Sequence, residues 1–282
     1  MLVVAGLVLR EAVRRRLILA AVLLTVLAIA LTGWGFSRLP TLGREPLPPE
    51  QVRLIASQLV ILVAFMYSFV LALSAVFVAA PAISGETESG IALAVLARPI
   101  SRAAYVAGKW IGLAVLLFVY ALGSVGLELA VVRAVVDYTP PRPLEAFAFL
   151  YAEGLVLLTL ALLLSTRLSG MVGGVIALIL FGLAWMGGIV GGVGVAFDNA
   201  TVTHVGTVTR LLVPTDGLWR GAVYALEPAA VLTAARGLPS GLAASNPFFA
   251  LSPPPLPFLL WSAAWVGAVL AAAVWIFRRR EV

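Results

Sequence analysis

The chain has no cysteine, one histidine (His204) and one lysine (Lys109) among its 282 residues. The first absence excludes a disulfide framework and any thiolate metal site. A single histidine excludes the HExxH zinc-protease pattern. Charge is sparse too: 11% of the residues, against about a quarter in an ordinary soluble domain. Asparagine and glutamine are scarce, and arginine stands almost everywhere lysine might. That bias fits a GC-rich genome or a hot habitat equally. There is no P-loop. Gly108-Lys109 is followed by Trp110, and Ala103 stands where the loop needs its first glycine. No nucleophile elbow surrounds Ser124, because Leu122 replaces its first glycine. Nothing here assembles a catalytic site, and no metal site is expected.

What the chain has is apolar length. It is 62% hydrophobic, with a mean hydropathy of +1.09. Roughly twenty apolar residues cross a bilayer core. Six runs qualify: Leu17–Phe36, Ile55–Ala80, Trp110–Val136, Ala146–Leu164, Met171–Phe197 and Phe258–Phe277. They are long, continuous and free of period-two alternation, so they predict helices rather than barrel strands. The expected fold is an all-α integral membrane protein, one transmembrane domain over residues 1–282. The first run follows Arg10, Arg14, Arg15 and Arg16 but is too long for a cleavable signal and lacks a small-residue cleavage site. Residues 1–15 fit either a short interfacial helix or an extension of the first span.

The net charge of +6 needs no nucleic-acid partner. Basic residues cluster at the ends of apolar runs. Arg98, Arg102, Lys109, Arg167, Arg278, Arg279 and Arg280 join the N-terminal arginines on short segments of one side. Their density predicts both termini on the cytoplasmic side of a cell membrane. The opposite loops are long. Asp198–Pro257 is the longest, and Pro214-Thr215-Asp216 within it reads as a helix start. That helix, with Leu218, Trp219 and Ala222 on one side, is expected to lie along the outer interface. Ser252-Pro253-Pro254-Pro255 reads as an extended connector. No internal repeat is visible, which weakens an inverted-repeat transporter.

The polar island between the second and third runs is the most informative motif. Ser84-Gly85-Glu86-Thr87-Glu88-Ser89-Gly90 precedes a short apolar stretch, then Ala97-Arg98-Pro99-Ile100-Ser101-Arg102 and Gly108-Lys109. Gly85 and Gly90 permit sharp turns. Pro99 stops a helix, and Ser101 can cap the next one. The result is a short inner helix with an acidic and a basic end, either a docking surface or an ordinary charged loop.

These residues resemble the inner loop of ABC-2-type transporter permeases. There a Gly-Glu-x-Glu-x-Gly-type segment is followed by an Arg-Pro-x-Ser-Arg turn and a Gly-Lys opening the third span. The six spans, the arginine-rich N-terminus and Leu212-Val213-Pro214-Thr215-Asp216 also fit, and the layout is similar to permeases like that of the nitrous-oxide-reductase maturation system. The resemblance implies a homodimer, or a pseudo-symmetric heterodimer of permeases, served by separate ABC ATPase subunits. ATP and Mg would bind those subunits and no cofactor this chain. It also implies that Glu86, Glu88 and Gly90 lie at or near the ATPase contact, within a coupling segment that includes Gly85, Arg98 and Arg102.

Two more features remain. The fifth run carries two GxxxG pairs, Gly187/Gly191 and Gly188/Gly192, which allow close helix approach. They fit a subunit interface or gate, or packing within one subunit; the family resemblance favours a place near the dimer axis. Glu128 and Glu153 lie inside spans, with Arg133 a little over one turn from Glu128. Intramembrane acids are costly and are functional candidates by default; a paired cluster is expected, or else a helix-locking ion pair or a protonated acid. The alternatives to an ABC permease are an ATPase-independent channel or secondary transporter, and a structural membrane subunit. Substrate and direction are not legible.

Overall fold

The computed structural model describes residues 4–8, 16–42, 45–97, 100–235 and 245–280. Among them there is no strand, and six helices are long and apolar enough to cross a membrane. They coincide with the six runs. Helix α1 is Arg16–Ser37 and α2 is Pro49–Ala79, opened by Pro48-Pro49-Glu50 with proline at the first position and an acid in the first turn. Pro81 has no N–H to donate, and the helix breaks at Ala80 before α3, Pro81–Glu88. A turn at Gly90 leads to α4, Ile91–Leu96. Helix α5, Arg102–Val136, starts as expected at Ser101, whose side chain accepts from the Ala104 N–H at 3.1 Å. At 35 residues it is about 52 Å long, well beyond an apolar layer of about 30 Å. Helices α6 (Pro143–Ser165) and α7 (Gly170–Ala196) follow.

The segment after α7 forms three helices: α8, Ala200–Leu212; α9, Thr215–Leu226; and α10, Ala229–Ala235. The last span, α11, is Leu256–Arg278. Helix α8 folds back along α7, with Thr203 against Gly194, Gly206 against Gly191 and Thr209 against Gly187. Thr209 therefore lies about 13 Å back from the end of α7 at Ala196, and Leu212 lies farther still. Helix α9 returns from that depth against α6, α7 and α2. Leu218, Trp219, Ala222, Val223 and Leu226 are all buried. This differs from the expected interfacial helix: α8 and α9 make a hairpin that re-enters the bundle. The core runs along α2, α5, α6 and α9, with a knot of rings where Phe65 packs within 5.6 Å of Phe69, Trp185, Trp219 and Phe248.

Candidate functional site: a braced loop and a re-entrant hairpin

At the end of the bundle where α11 terminates, α3 and α4 project between α2 and α5. Gly90 has φ +75°, a left-handed conformation that glycine adopts without strain. It turns the chain between the two short helices. Glu88 and Ser89 are exposed, and Ile91 is 52% exposed. A Cβ added at Gly85 would meet the Pro81 ring at an ordinary 3.8 Å. Arg98 lies outside the described residues.

Glu86 is not an exposed docking acid. Its carboxylate accepts from the Tyr105 hydroxyl and from Lys109 Nζ, both on the first two turns of α5. The Lys109 side chain is buried, and the Glu86 side chain is mostly so. A charged side chain at this depth is costly unless paired, and the chain's only lysine finds its carboxylate 23 residues earlier. Tyr105 in turn stacks on Phe277 with ring centroids 5.5 Å apart. Arg102 extends the brace: its Nη1 donates to the carbonyls of Phe277 (3.5 Å), Arg278 (3.0 Å) and Arg280 (2.5 Å). It caps the C-terminus of α11, where a cation is favoured. Arg280 Nη1 then donates to the Thr166 carbonyl at 2.8 Å, in the α6–α7 turn. So α3, α5, α11 and the α6–α7 turn are tied together at one end.

The glycines of α7 are used within the chain. A Cβ at Gly191 would lie 2.8 Å from the Gly206 Cα, so α7 and α8 touch backbone to backbone. Gly187 receives Thr209, and Gly188 receives the Asp216 carboxylate. Gly192 is buried as well. The close approach expected from the GxxxG pairs is present; its partner is the hairpin.

That hairpin carries charge into the bundle. Asp216, 1% exposed in the first turn of α9, accepts from Arg210 Nε at 2.5 Å and from Arg220 Nε at 3.4 Å. Arg210 also donates to the Gly188 carbonyl at 3.3 Å. Two tryptophans of α11 complete the arrangement. Trp261 and Trp265 donate their indole N–H groups to the carbonyls of Leu211 (3.0 Å) and Leu212 (2.9 Å). The last carbonyls of a helix lack partners within it, and an orphaned one in lipid is expensive. Where α9 ends, Arg142 lies 3.9 Å over the Tyr224 ring and donates to its carbonyl at 2.6 Å. Glu227 beyond it is fully buried, and burial pushes its carboxyl up to about 7. Tyr138 nearby is pushed up to about 12 by burial and then by the Glu227 charge.

The two intramembrane acids are both buried but do not form a cluster with Arg133. Glu153 accepts from the Ser68 hydroxyl at 2.9 Å. Glu128 turns toward Tyr67 and Thr32, yet neither is placed to complete a hydrogen bond. Arg133 is exposed, and among the described residues no ion pair joins it to either acid. Lone serine and tyrosine hydroxyls on α2 carried no signal in the sequence. Their adjacency, Tyr67-Ser68, is what places one beside each acid.

A comparison with protein families settles the broad assignment: the family described as ABC-2 family transporter protein matches residues 2–282. The chain belongs to this ABC-2 transporter family. No curated protein matches it significantly. It is a multi-pass membrane protein and a membrane permease of an ABC transporter. The six helices and the family agree with the fold and transport class read from the sequence.

Proposed function

We propose that this ABC-2 permease moves its substrate with ATP hydrolysed by separate ATPase subunits that dock on the α3–α4 segment. The observation that carries the reading is the division of labour between two neighbouring acids. Glu88 projects into solvent next to Ser89 and Ile91, as a contact residue should. Glu86 turns inward onto Lys109 and Tyr105. A push on α3–α4 then passes through Glu86 into α5, and through Arg102 into the end of α11. In this reading ATP and Mg bind the partner, the docking end faces the cytoplasm, and the membrane is the cell membrane. Two permease copies, identical or pseudo-symmetric, complete the transporter. The subgroup we infer is that of permeases like the one of nitrous-oxide-reductase maturation, on the strength of the inner-loop motif. Soft-metal conduction is not part of the proposal. Thioether ligands would be needed, and Met66, Met171 and Met186 are all more than half exposed on the outside of the bundle.

The test is copurification of this chain with the ATPase, followed by ATPase assay in vesicles with wild-type permease or Glu88→Lys. Reversing a contact charge sets like charges against each other and weakens docking. Stimulation by the wild type and its loss in the variant are expected. Equal stimulation by both would remove the docking assignment.

A further inference from the structure

In the half of the bundle that holds the hairpin, a cavity lies between α2, α5, α6 and the end of α9. Its lining includes Ala64, Tyr67, Val125, Glu128, Leu150 and Leu226, and it has room for about one water molecule. Glu128 is eight residues from the end of α5 at Val136, about 12 Å in. Two polar groups aim into an otherwise apolar space. Glu128 and Tyr67 are each 5% exposed, and among the described residues neither carboxylate oxygen nor the phenol oxygen has a hydrogen-bond partner.

Buried polar groups are seldom left so, and a bare carboxylate at this depth is more costly still. Among the described residues no arginine or lysine lines the cavity to neutralise it. From α1 the facing polar group is Thr32. From α2 it is Tyr67, which has Tyr120 of α5 in its electrostatic reach. Alpha6 contributes only Ala146 and Leu150, and α9 only Leu226, beyond which stands Glu227. The oxygens available are too few, and the space too small, for a metal cation, which takes six or more oxygens. One water and one proton fit. The water would accept from the carboxyl or phenol and donate to the other, satisfying both.

We propose that Glu128 and Tyr67 form an internal proton-and-water site, in which the Glu128 carboxyl keeps its proton and a water joins it to the Tyr67 hydroxyl. Leu226 lines this site from α9.

The experiment is infrared spectroscopy of the full chain in lipid nanodiscs at neutral pH, transferred from H2O to D2O. Wild type, Glu128→Gln, Tyr67→Phe and Glu153→Gln are compared, all conservative changes whose folding is checked by size-exclusion chromatography. Wild type is expected to show, beside the signal of Glu227, a protonated-carboxyl carbonyl component that Glu128→Gln loses and Glu153→Gln keeps. The band should shift promptly in D2O, because a water reaches it. Tyr67→Phe should retain the band at a changed frequency. Identical carboxyl bands in wild type and Glu128→Gln would overturn the proton. A band that fails to exchange over hours would overturn the water, and one unmoved in Tyr67→Phe would overturn the partnership.

Discussion

Gly191→Ala tests whether the glycine stripe of α7 serves the re-entrant hairpin. A Cβ at Gly191 would meet the Gly206 Cα at 2.8 Å, and the contact is backbone on backbone. No rotamer change relieves it. Non-bonded carbons rest at about 3.5–4.0 Å, so α7 and α8 must part by roughly 1 Å. That motion stretches the Arg210–Gly188 bond, already 3.3 Å, and pulls Arg210 from the buried Asp216. Overpacking of this kind costs about 1–3 kcal/mol. Alanine also gains up to about 1 kcal/mol over glycine in a helix, which would blur a single measurement. Gly182→Ala supplies the reference: the same helix, an exposed position, and nothing within 4 Å of an added Cβ. The propensity gain is common to both variants, so their difference isolates the clash at about 1–3 kcal/mol. In thermal unfolding in detergent, followed by tryptophan fluorescence, that corresponds to roughly 3–10 °C. Gly182→Ala should melt at or slightly above wild type and Gly191→Ala clearly below it. Equal melting of the two would refute the packing argument. A wild-type melt with loss of dimer crosslinking would assign the stripe to contacts between copies.

Three further outcomes follow from the same geometry. Glu86→Lys should lower stability by about 3–5 kcal/mol, because it leaves Lys109 buried without its carboxylate, whereas Glu88→Lys should melt like wild type; denaturant or thermal unfolding of both decides this. Burial holds Glu227 near 7 rather than its ordinary 4.5, so the folded state binds that proton more tightly than the unfolded chain. Its stabilisation is complete below about pH 4.5 and is lost as pH rises through about 7, by at most about 3 kcal/mol and less where solvent reaches it. Glu227→Gln should flatten that decline in melting temperature between about pH 5 and 8. With both termini inside, a cysteine at exposed Thr201 should react with an impermeant thiol reagent in intact cells while one at Ser89 resists. The reverse pattern would put α3–α4 on the wrong side for a cytoplasmic ATPase.

The spans were legible because lipid leaves the sequence little choice. A helix that faces hydrocarbon must be apolar over about twenty residues, and each of the six runs is. The Ser101 cap was legible for a similar reason: it is local, settled within three residues by one side chain and one N–H. The hairpin was not. Residues 200–212 carry Thr201, Thr203, His204, Thr207, Thr209 and Arg210, and on hydropathy they belong in water. They lie along the flank of α7, with only Gly206 buried, because glycines of α7 let α8 approach to backbone distance, because Asp216 neutralises Arg210, and because two tryptophans of a span some fifty residues later cap the last carbonyls. The glycine contacts and the tryptophan caps are non-local, and the Arg210–Asp216 pair forms only once the chain turns between α8 and α9. The GxxxG pairs announced a close partner and could not say which helix it was.

Glu86 shows the same limit more sharply, and also where a signal lay unused. Glu86 and Glu88 look alike in the sequence: two acids in one short polar segment, both placed in water by the reasoning that charge avoids lipid. That reasoning concerns a residue alone, but a buried charge is admitted when a counter-charge meets it. Lys109 is the counter-charge, and it was conspicuous as the only lysine in the chain, one residue before the apolar run Trp110–Val136 and two turns inside the observed α5. A cation there requires a carboxylate. The acids near that end of the bundle were few, and those of the polar island lay within reach once α3 folded back beside α5. The spacing that decides between them is helical. Lys109 and Tyr105 are four apart and share a face of α5, while Glu86 and Glu88 are two apart and point away from each other on α3. One acid must therefore turn toward that face when the other turns out. The segment keeps one acid in solvent and the other fixed to α5, and the arrangement of its two acids follows from the period of the helix.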